Sequence, residues 1–114
     1  MKSNELAKTL GWTTLLEQES APDIIDAYTS DLMSDVIANA PEESILITIQ
    51  AHNNTVAAAS LAGMHAILLC NSRIPGEDMF AAARREDMSI YGTDKNQFQA
   101  SYELATALKL VQIG

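Results

Sequence analysis

The fold is decided by the stretch SILITIQ at residues 44–50, a short run rich in β-branched side chains that lies between polar segments. A run of this length and composition predicts a buried strand. The residues after it predict a helix, because Asn54 or Thr55 can cap its start, residues 56–62 are rich in alanine, and Gly63 supplies a C-terminal stop. The stretch therefore predicts one strand followed directly by one helix.

The same order of strand and helix occurs twice more downstream. Residues 65–70 predict a second strand, followed by a helix through residues 77–85, and residues 88–91 predict a third strand before the last helix. The three strands begin at intervals of about 21 residues, which fits right-handed crossovers between parallel strands. We expect the last helix to bury one apolar face that contains Phe98, Tyr102, Leu104, Ala105, Leu108 and Val111.

The first forty residues are less regular. Residues 4–10 predict a short helix ended by Gly11, residues 12–16 and 24–28 predict strands, and residues 31–40 predict a helix. On that second helix we expect a polar stripe of Asp31, Asp35 and Asn39, opposite an apolar face of Leu32, Met33, Val36, Ile37 and Ala40.

Because the strands are almost continuously apolar, we expect the sheet to be covered on both faces. The sequence thus predicts one α/β domain over residues 1–114, with three α/β/α layers and a mostly parallel sheet of about five strands.

Charge narrows the range of partners. The chain has 7 Lys and Arg against 15 Asp and Glu, a net charge of −8, and no basic residue lies between Lys8 and Arg73. This balance argues against nucleic acid or an anionic membrane as the main partner. The acidic half is either a solvated face or a docking surface for a basic patch on a partner or on a second copy. With no apolar segment typical of a signal peptide or a membrane helix, we predict a cytoplasmic protein.

Few side chains have the spacing of a known chemical site. Cys70 is the only cysteine and ends an apolar run, which is typical of a small buried side chain rather than a nucleophile. Together with His52 and His65 it matches no zinc-ligand spacing, and no glycine-rich phosphate loop is present.

Two carboxylates on one stripe, Asp31 and Asp35, are compatible with a metal site or with acid/base chemistry. A helix cap at Asp31 and a solvent-facing residue at Asp35 explain them more simply. The loop from His52 to Thr55 follows a strand end and precedes a helix, where open parallel sheets bind ligands, although capping and turn formation also account for these residues. Arg73 follows another strand end, where it can bind a carboxylate or phosphate.

For Arg73 the competing interpretation is an ion pair with a nearby acid, either Glu77 or Asp78.

The sequence YTSDLMSDVIANA at residues 28–40, followed by ITIQAH at residues 47–52, resembles the DRTGG-domain family. Downstream features match in order: an alanine-rich helix, NSRIP at residues 71–75 and IYGTD at residues 90–94. The motif that names the family is degenerate, since APDIIDAY at residues 21–28 stands in its place.

The resemblance implies an α/β/α domain similar to the N-terminal domains of HPr kinase/phosphorylase and of some Mur ligases. Such domains are accessory modules of CBS-domain pyrophosphatases and phosphotransacetylases, or small free-standing proteins associated with iron-hydrogenase subunits. We therefore predict a non-catalytic regulatory or assembly domain that forms a homodimer, binds a partner protein such as a hydrogenase or other redox-enzyme subunit, and takes a small anionic ligand or nucleotide at the strand ends. No other cofactor is predicted.

The candidate ligand-binding residues are Asp31, Ser34, Asp35, Gln50, His52, Asn53, Asn54, Thr55, Asn71, Arg73 and Thr93. Two alternatives belong to other classes. One is a metal-dependent phosphoryl-transfer or phosphohydrolase enzyme that uses Asp31, Asp35 and His52. The other is a pure nucleotide sensor.

Overall fold

The computed structural model describes residues 1–111. The helices within these residues are α1 (Ser3–Leu10), α2 (Met33–Asn39), α3 (Asn53–Leu61), α4 (Glu77–Arg85) and α5 (Gln97–Ala107). The strands are β1 (Thr13–Leu16), β2 (Asp26–Thr29), β3 (Ser44–Thr48), β4 (Ala66–Leu69) and β5 (Ser89–Gly92). Every predicted strand and helix is present, and the ends that were predicted differ from the observed ones by at most two residues.

The five strands form one sheet in the order β1-β5-β4-β3-β2. Strands β2 to β5 run parallel to one another, and β1 pairs antiparallel with β5 at one edge. The predicted parallel sheet is therefore confirmed. Because β1 runs the opposite way, its first residue, Thr13, lies beside Gly92 at the end of β5.

Helices cover both faces of the sheet, so the three-layer architecture is confirmed. Successive strand residues point to opposite faces. Thus Leu46 and Leu69 pack in a cluster with α2, α3 and α4, whereas Ile45 and Leu68 pack in a second cluster with α1 and α5. Each of these four side chains is fully buried and contributes about 1.5–3 kcal/mol of hydrophobic stabilisation.

Helix α2 starts two residues later than predicted. Asp31 lies before the helix, and its carboxylate accepts hydrogen bonds from the end of β3 instead of capping α2. The predicted apolar face is also wrong in part, because Leu32 is 64% exposed and Ile37 is exposed, leaving Val36 as the fully buried residue of α2.

Helix α3 starts earlier than predicted. It begins at Asn53, so neither Asn54 nor Thr55 is its cap, and the residue before it, His52, makes no side-chain capping bond. The Thr55 hydroxyl instead donates to the carbonyl of Gln50 at 2.8 Å. The predicted stop is confirmed, since Gly63 has a φ of 76°, which favours glycine at a helix end.

The predicted apolar face of α5 is only half correct. Leu104 is fully buried together with Ala100, but Phe98 is 78% exposed and Tyr102 is exposed as well. Phe98 and Tyr102 each precede one of the buried residues by two positions, which is about 200° around a helix with 3.6 residues per turn. They therefore lie on the outer side of α5.

Cys70 is fully buried, as predicted. Among the described helices, none has the length and apolar character needed to cross a bilayer.

Candidate functional site

The candidate ligand-binding residues follow the carboxyl ends of parallel strands, which meet at one edge of the sheet. Asp31 follows β2, the segment from Gln50 follows β3, Arg73 follows β4 and Thr93 follows β5. The topology thus brings segments far apart in sequence to one edge, which we call the carboxyl edge.

Asp31 joins three segments at the carboxyl edge. Its Oδ1 accepts hydrogen bonds from the Thr48 hydroxyl at 2.8 Å and from the Ile49 backbone N–H at 3.0 Å. The Gln97 side-chain amide donates to both carboxylate oxygens, at 3.1 and 3.2 Å. The carboxylate therefore fastens the β2–α2 loop to the end of β3 and to the start of α5.

The surroundings of Asp31 and Cys70 shift the pKa values of both groups at the carboxyl edge. Burial acts to raise the pKa of Asp31, but the hydrogen bonds from Ile49, Thr48 and Gln97 lower it, and the net pKa lies below its ordinary value. Burial, with a smaller contribution from the Asp31 charge, raises the pKa of the Cys70 thiol to about 11. Cys70 is thus protonated at neutral pH and is not an activated nucleophile.

Asp35 does not share a stripe with Asp31. Its carboxylate oxygens accept from the Tyr28 hydroxyl at 2.9 and 3.0 Å and from the Asn39 amide at 2.9 Å. The hydrogen bond from Asn39, followed by the one from Tyr28, lowers the pKa of Asp35. The hydrogen bond between Tyr28 and Asp35 also raises the pKa of Tyr28. Each carboxylate thus has its own set of protein donors.

The loop after β3 is mostly solvent-facing. The side chains of His52, Asn53 and Asn54 are exposed and make no hydrogen bonds within the described chain. Thr55 is buried and its hydroxyl is engaged by Gln50, as described above.

Ser34, on α2, is exposed. Among residues 1–111, no group of three or more His, Cys, Asp and Glu side chains is arranged to hold a metal ion.

A cavity of about 370 Å³ lies at the other side of the carboxyl edge, between β1, the loop after β4 and the end of β5. We call it the Arg73 cavity. Its lining residues are Gly11, Thr13, Leu15, Ser72, Arg73, Ile74, Gly92, Thr93 and Asp94. Two of the predicted candidates, Arg73 and Thr93, are thereby brought together, whereas the others lie outside this lining.

The backbone fixes the loop that carries Arg73. Asn71 and Ser72 have φ values of 57° and 56°, a left-handed conformation that is uncommon for residues other than glycine. Their N–H groups donate to the carbonyls of Lys95 and Thr93, each at 2.9 Å. The loop after β4 is therefore tied to the loop after β5, and strained backbone of this kind is concentrated at functional sites.

Arg73 forms no ion pair with Glu77 or Asp78, so that interpretation is wrong. The ion pairs within the described chain are Lys2–Asp23 and Lys95–Glu103. The Asp78 carboxylate accepts the N–H of Met79 at 2.9 Å. Arg73 therefore lines the cavity, and its guanidinium has no carboxylate within 4.0 Å among residues 1–111.

Several residues of this cavity are not among the candidates predicted from the sequence. Ser72 and Ile74 flank Arg73 in the sequence, and Asp94 follows Thr93. Their positions next to predicted candidates were therefore the signal that could have found them. Leu15 and Gly11 had no such signal, because only the antiparallel pairing of β1 with β5 brings them to the carboxyl edge.

Comparisons with known proteins identify the fold and no family. No family model matches the sequence, and neither does any curated protein. A solved structure of the CBS and DRTGG domains of the regulatory region of a Clostridium perfringens pyrophosphatase, in complex with its activator diadenosine tetraphosphate, is similar with a TM-score of 0.70 and 13% sequence identity. The match covers 89% of this chain and 44% of that one. The chain thus spans less than half the length of that structure, and the likeness supports a DRTGG-like fold.

Proposed function

We propose that this chain is a non-catalytic regulatory domain that binds a small anionic ligand in the Arg73 cavity. One observation carries the proposal: an arginine without a carboxylate partner in the described chain lines a cavity at the carboxyl edge. This edge is where open α/β sheets bind their ligands. A guanidinium can hold a carboxylate or phosphate through two parallel hydrogen bonds.

Thr93 adds a donor beside the guanidinium. It is almost fully buried, and its hydroxyl oxygen accepts the N–H of Lys95 at 3.3 Å. The hydroxyl donates to no group of the described chain, so its proton is free to be donated to an anion. The cavity therefore offers an anion both a charge and a short-range donor.

The regulatory character is supported by the fold and by the occupied carboxylates. The structural neighbour is the regulatory region of a pyrophosphatase bound to a nucleotide activator. The alternative enzyme would need Asp31 and Asp35 to share a cation, yet these side chains accept hydrogen bonds from different protein donors. A nucleotide is accordingly the first ligand class to test.

Thermal unfolding with nucleotides and inorganic anions tests the proposal. A ligand at 100 times its Kd adds about 2.7 kcal/mol, which for a chain of this length raises Tm by about 11 °C. We expect Arg73→Ala to remove this shift and Arg85→Ala, an exposed arginine of α4, to retain it. Failure of phosphate, diphosphate and all nucleotides to shift Tm, or an unchanged shift in Arg73→Ala, would contradict the proposal.

We propose also that two copies associate through the outer side of α5. Phe98 and Tyr102 form an edge-to-face pair there with ring centroids 5.5 Å apart. The helix carries one charged residue, Glu103, which pairs with Lys95 at 2.7 Å. Since each copy has a net charge of −8, this locally neutral face is where two copies meet with the least repulsion.

Light scattering measures the association directly. We expect twice the 12.3 kDa mass of the chain at micromolar concentration, and a shift towards monomer in Phe98→Ser. Leu61→Ser is the control, because Leu61 is equally exposed but belongs to α3 on the opposite layer. A wild-type mass of one chain would exclude the dimer.

The third proposal concerns a partner protein and the acidic half of the chain. Ile25 is 57% exposed, is followed in sequence by Asp26, and donates its N–H to the carbonyl of another acidic residue, Glu43. We propose a basic partner here, for which the resemblance implies an iron-hydrogenase subunit. Binding of such a purified subunit should weaken as NaCl is raised and in Ile25→Ser; binding that is insensitive to both would contradict the assignment.

A further inference from the structure

Resting on the proposed function, we infer that the ligand of the Arg73 cavity is a ribonucleoside monophosphate whose phosphate binds Arg73 and whose ribose hydroxyls bind Asp94. The starting observation is that both residues line the same cavity and yet are not within ion-pair distance of each other. A ligand that satisfies both must carry an anion at one end and hydrogen-bond donors at another.

Asp94 is available for such donors. Its carboxylate makes no hydrogen bond within the described chain, and the neighbouring cation, Lys95, is held by both oxygens of Glu103 at 2.7 and 2.9 Å. An ionised carboxylate only accepts hydrogen bonds. It therefore selects hydroxyl or amino groups and repels a second anionic group, which places the phosphate at Arg73.

Part of the remaining wall is apolar. Leu15 and Ile74 line the cavity, and Ile74 is 71% exposed. Gly92 keeps this wall in position, because a Cβ there would lie 3.1 Å from Leu15 Cδ1. A flat base packed on these side chains would cover apolar surface that is otherwise in water.

The volume is compatible with a ligand of this class. At about 370 Å³ the cavity lies near the lower end of the roughly 300–1,000 Å³ range of small-molecule sites, and one nucleotide is a ligand of this scale. The cavity is open to solvent on one side, so a bound nucleotide can extend beyond it.

Isothermal titration of the full chain with the four common ribonucleoside monophosphates and their 2′,3′-dideoxy analogues tests the inference. We expect at least one ribonucleotide to bind and its dideoxy analogue to bind at least tenfold more weakly, as expected for loss of a hydrogen bond to a charged group. Asp94→Asn loses the charge but keeps one acceptor oxygen, so it should reduce a tenfold discrimination to about threefold. We expect Arg73→Ala to abolish binding and Arg85→Ala to leave both affinities unchanged.

The outcomes separate this inference from the broader proposal. Equal affinity for the ribo and dideoxy forms, or full discrimination in Asp94→Asn, overturns the ribose assignment while an Arg73-dependent anion site stands. Binding of inorganic phosphate or diphosphate, without binding of any nucleoside monophosphate, would likewise overturn the ribose assignment and leave the anion site standing. Absence of binding by every nucleotide and inorganic anion overturns both.

Discussion

The carboxylate of Asp31 provides the sharpest test of how the carboxyl edge is held together. Asp31→Ala removes the acceptor shared by the Thr48 hydroxyl, the Ile49 N–H and the Gln97 amide. Thr48 is fully buried, so its hydroxyl loses a partner that solvent cannot easily replace. Gln97 is only half-buried, and water can take over its bond.

The size of the effect follows from these partners. A buried donor left without its acceptor costs about 1–3 kcal/mol. Asp31 is itself partly exposed, so we take the lower part of that range for Thr48 and Ile49 and nothing for Gln97. The expected loss is about 2–3 kcal/mol, or a Tm lower by about 10 °C at roughly 4 °C per kcal/mol. Asp31→Asn retains one acceptor oxygen, and we expect it to lose about half as much.

Urea unfolding followed by fluorescence measures this loss, because Trp12 is the single tryptophan and is buried against Tyr91. The loss also depends on pH. The pKa of Asp31 is lowered on folding from an ordinary value of 3.8, so its carboxylate stabilises the fold above that value and ceases to do so as pH falls through the lowered pKa. The difference between wild type and Asp31→Ala should be constant from about pH 5 to 7 and shrink below about pH 4.

Glu19→Gln is the matched control, since it also removes one negative charge but from an exposed residue without a side-chain hydrogen bond in the described chain. We expect it to stay within about 0.5 kcal/mol of wild type. If Asp31→Ala were equally mild, or if its deficit were the same at pH 3 and pH 7, the carboxylate would not be what joins the three segments.

Three further predictions concern the core and the backbone. Gly63→Ala should cost about 1 kcal/mol or more and exceed Gly11→Ala in urea unfolding, because both glycines have positive φ but only Gly63 would place its Cβ 3.0 Å from the Glu42 side chain. Equal losses would show that the contact is irrelevant. Cys70 should react with a thiol reagent at pH 8 far more slowly in the folded chain than in urea, because its pKa is raised to about 11; equal rates would contradict its burial. Leu68→Ala, at a fully buried position of β4, should cost about 2–5 kcal/mol in the same unfolding assay, and a cost below 1 kcal/mol would contradict the packing of that layer.

The strand-helix repeat was predictable because its signals are local. Gly63 has a backbone conformation that glycine adopts without strain, and the apolar run of β3 has few alternatives to a buried strand. The start of α2 was not predictable in the same way. Asp31 is a good cap in isolation, but its carboxylate binds Ile49 and Thr48, which approach only when β2 and β3 pair.

The sequence predicted some residues of the candidate site, but not which of them lie together around one cavity. The rule that ligands bind beyond the carboxyl ends of parallel strands placed Arg73 and Thr93 among the candidates. Nothing local distinguished them from Asp35 or His52, because which loops enclose a cavity depends on how far each projects and on what lies beside it. Leu15 enters the cavity only through the pairing of β1 with β5.

By itself the sequence determined the order of strands and helices, the burial of Cys70 and the two glycine stops, since each depends on residues within a few positions of one another. Tertiary structure decided which carboxylates are occupied by protein donors, which side of α5 is exposed, and that Arg73 and Asp94 line one cavity without pairing. The physical reason is distance along the chain. Those contacts join segments separated by about twenty to seventy residues, and no local preference of the backbone encodes how such segments meet.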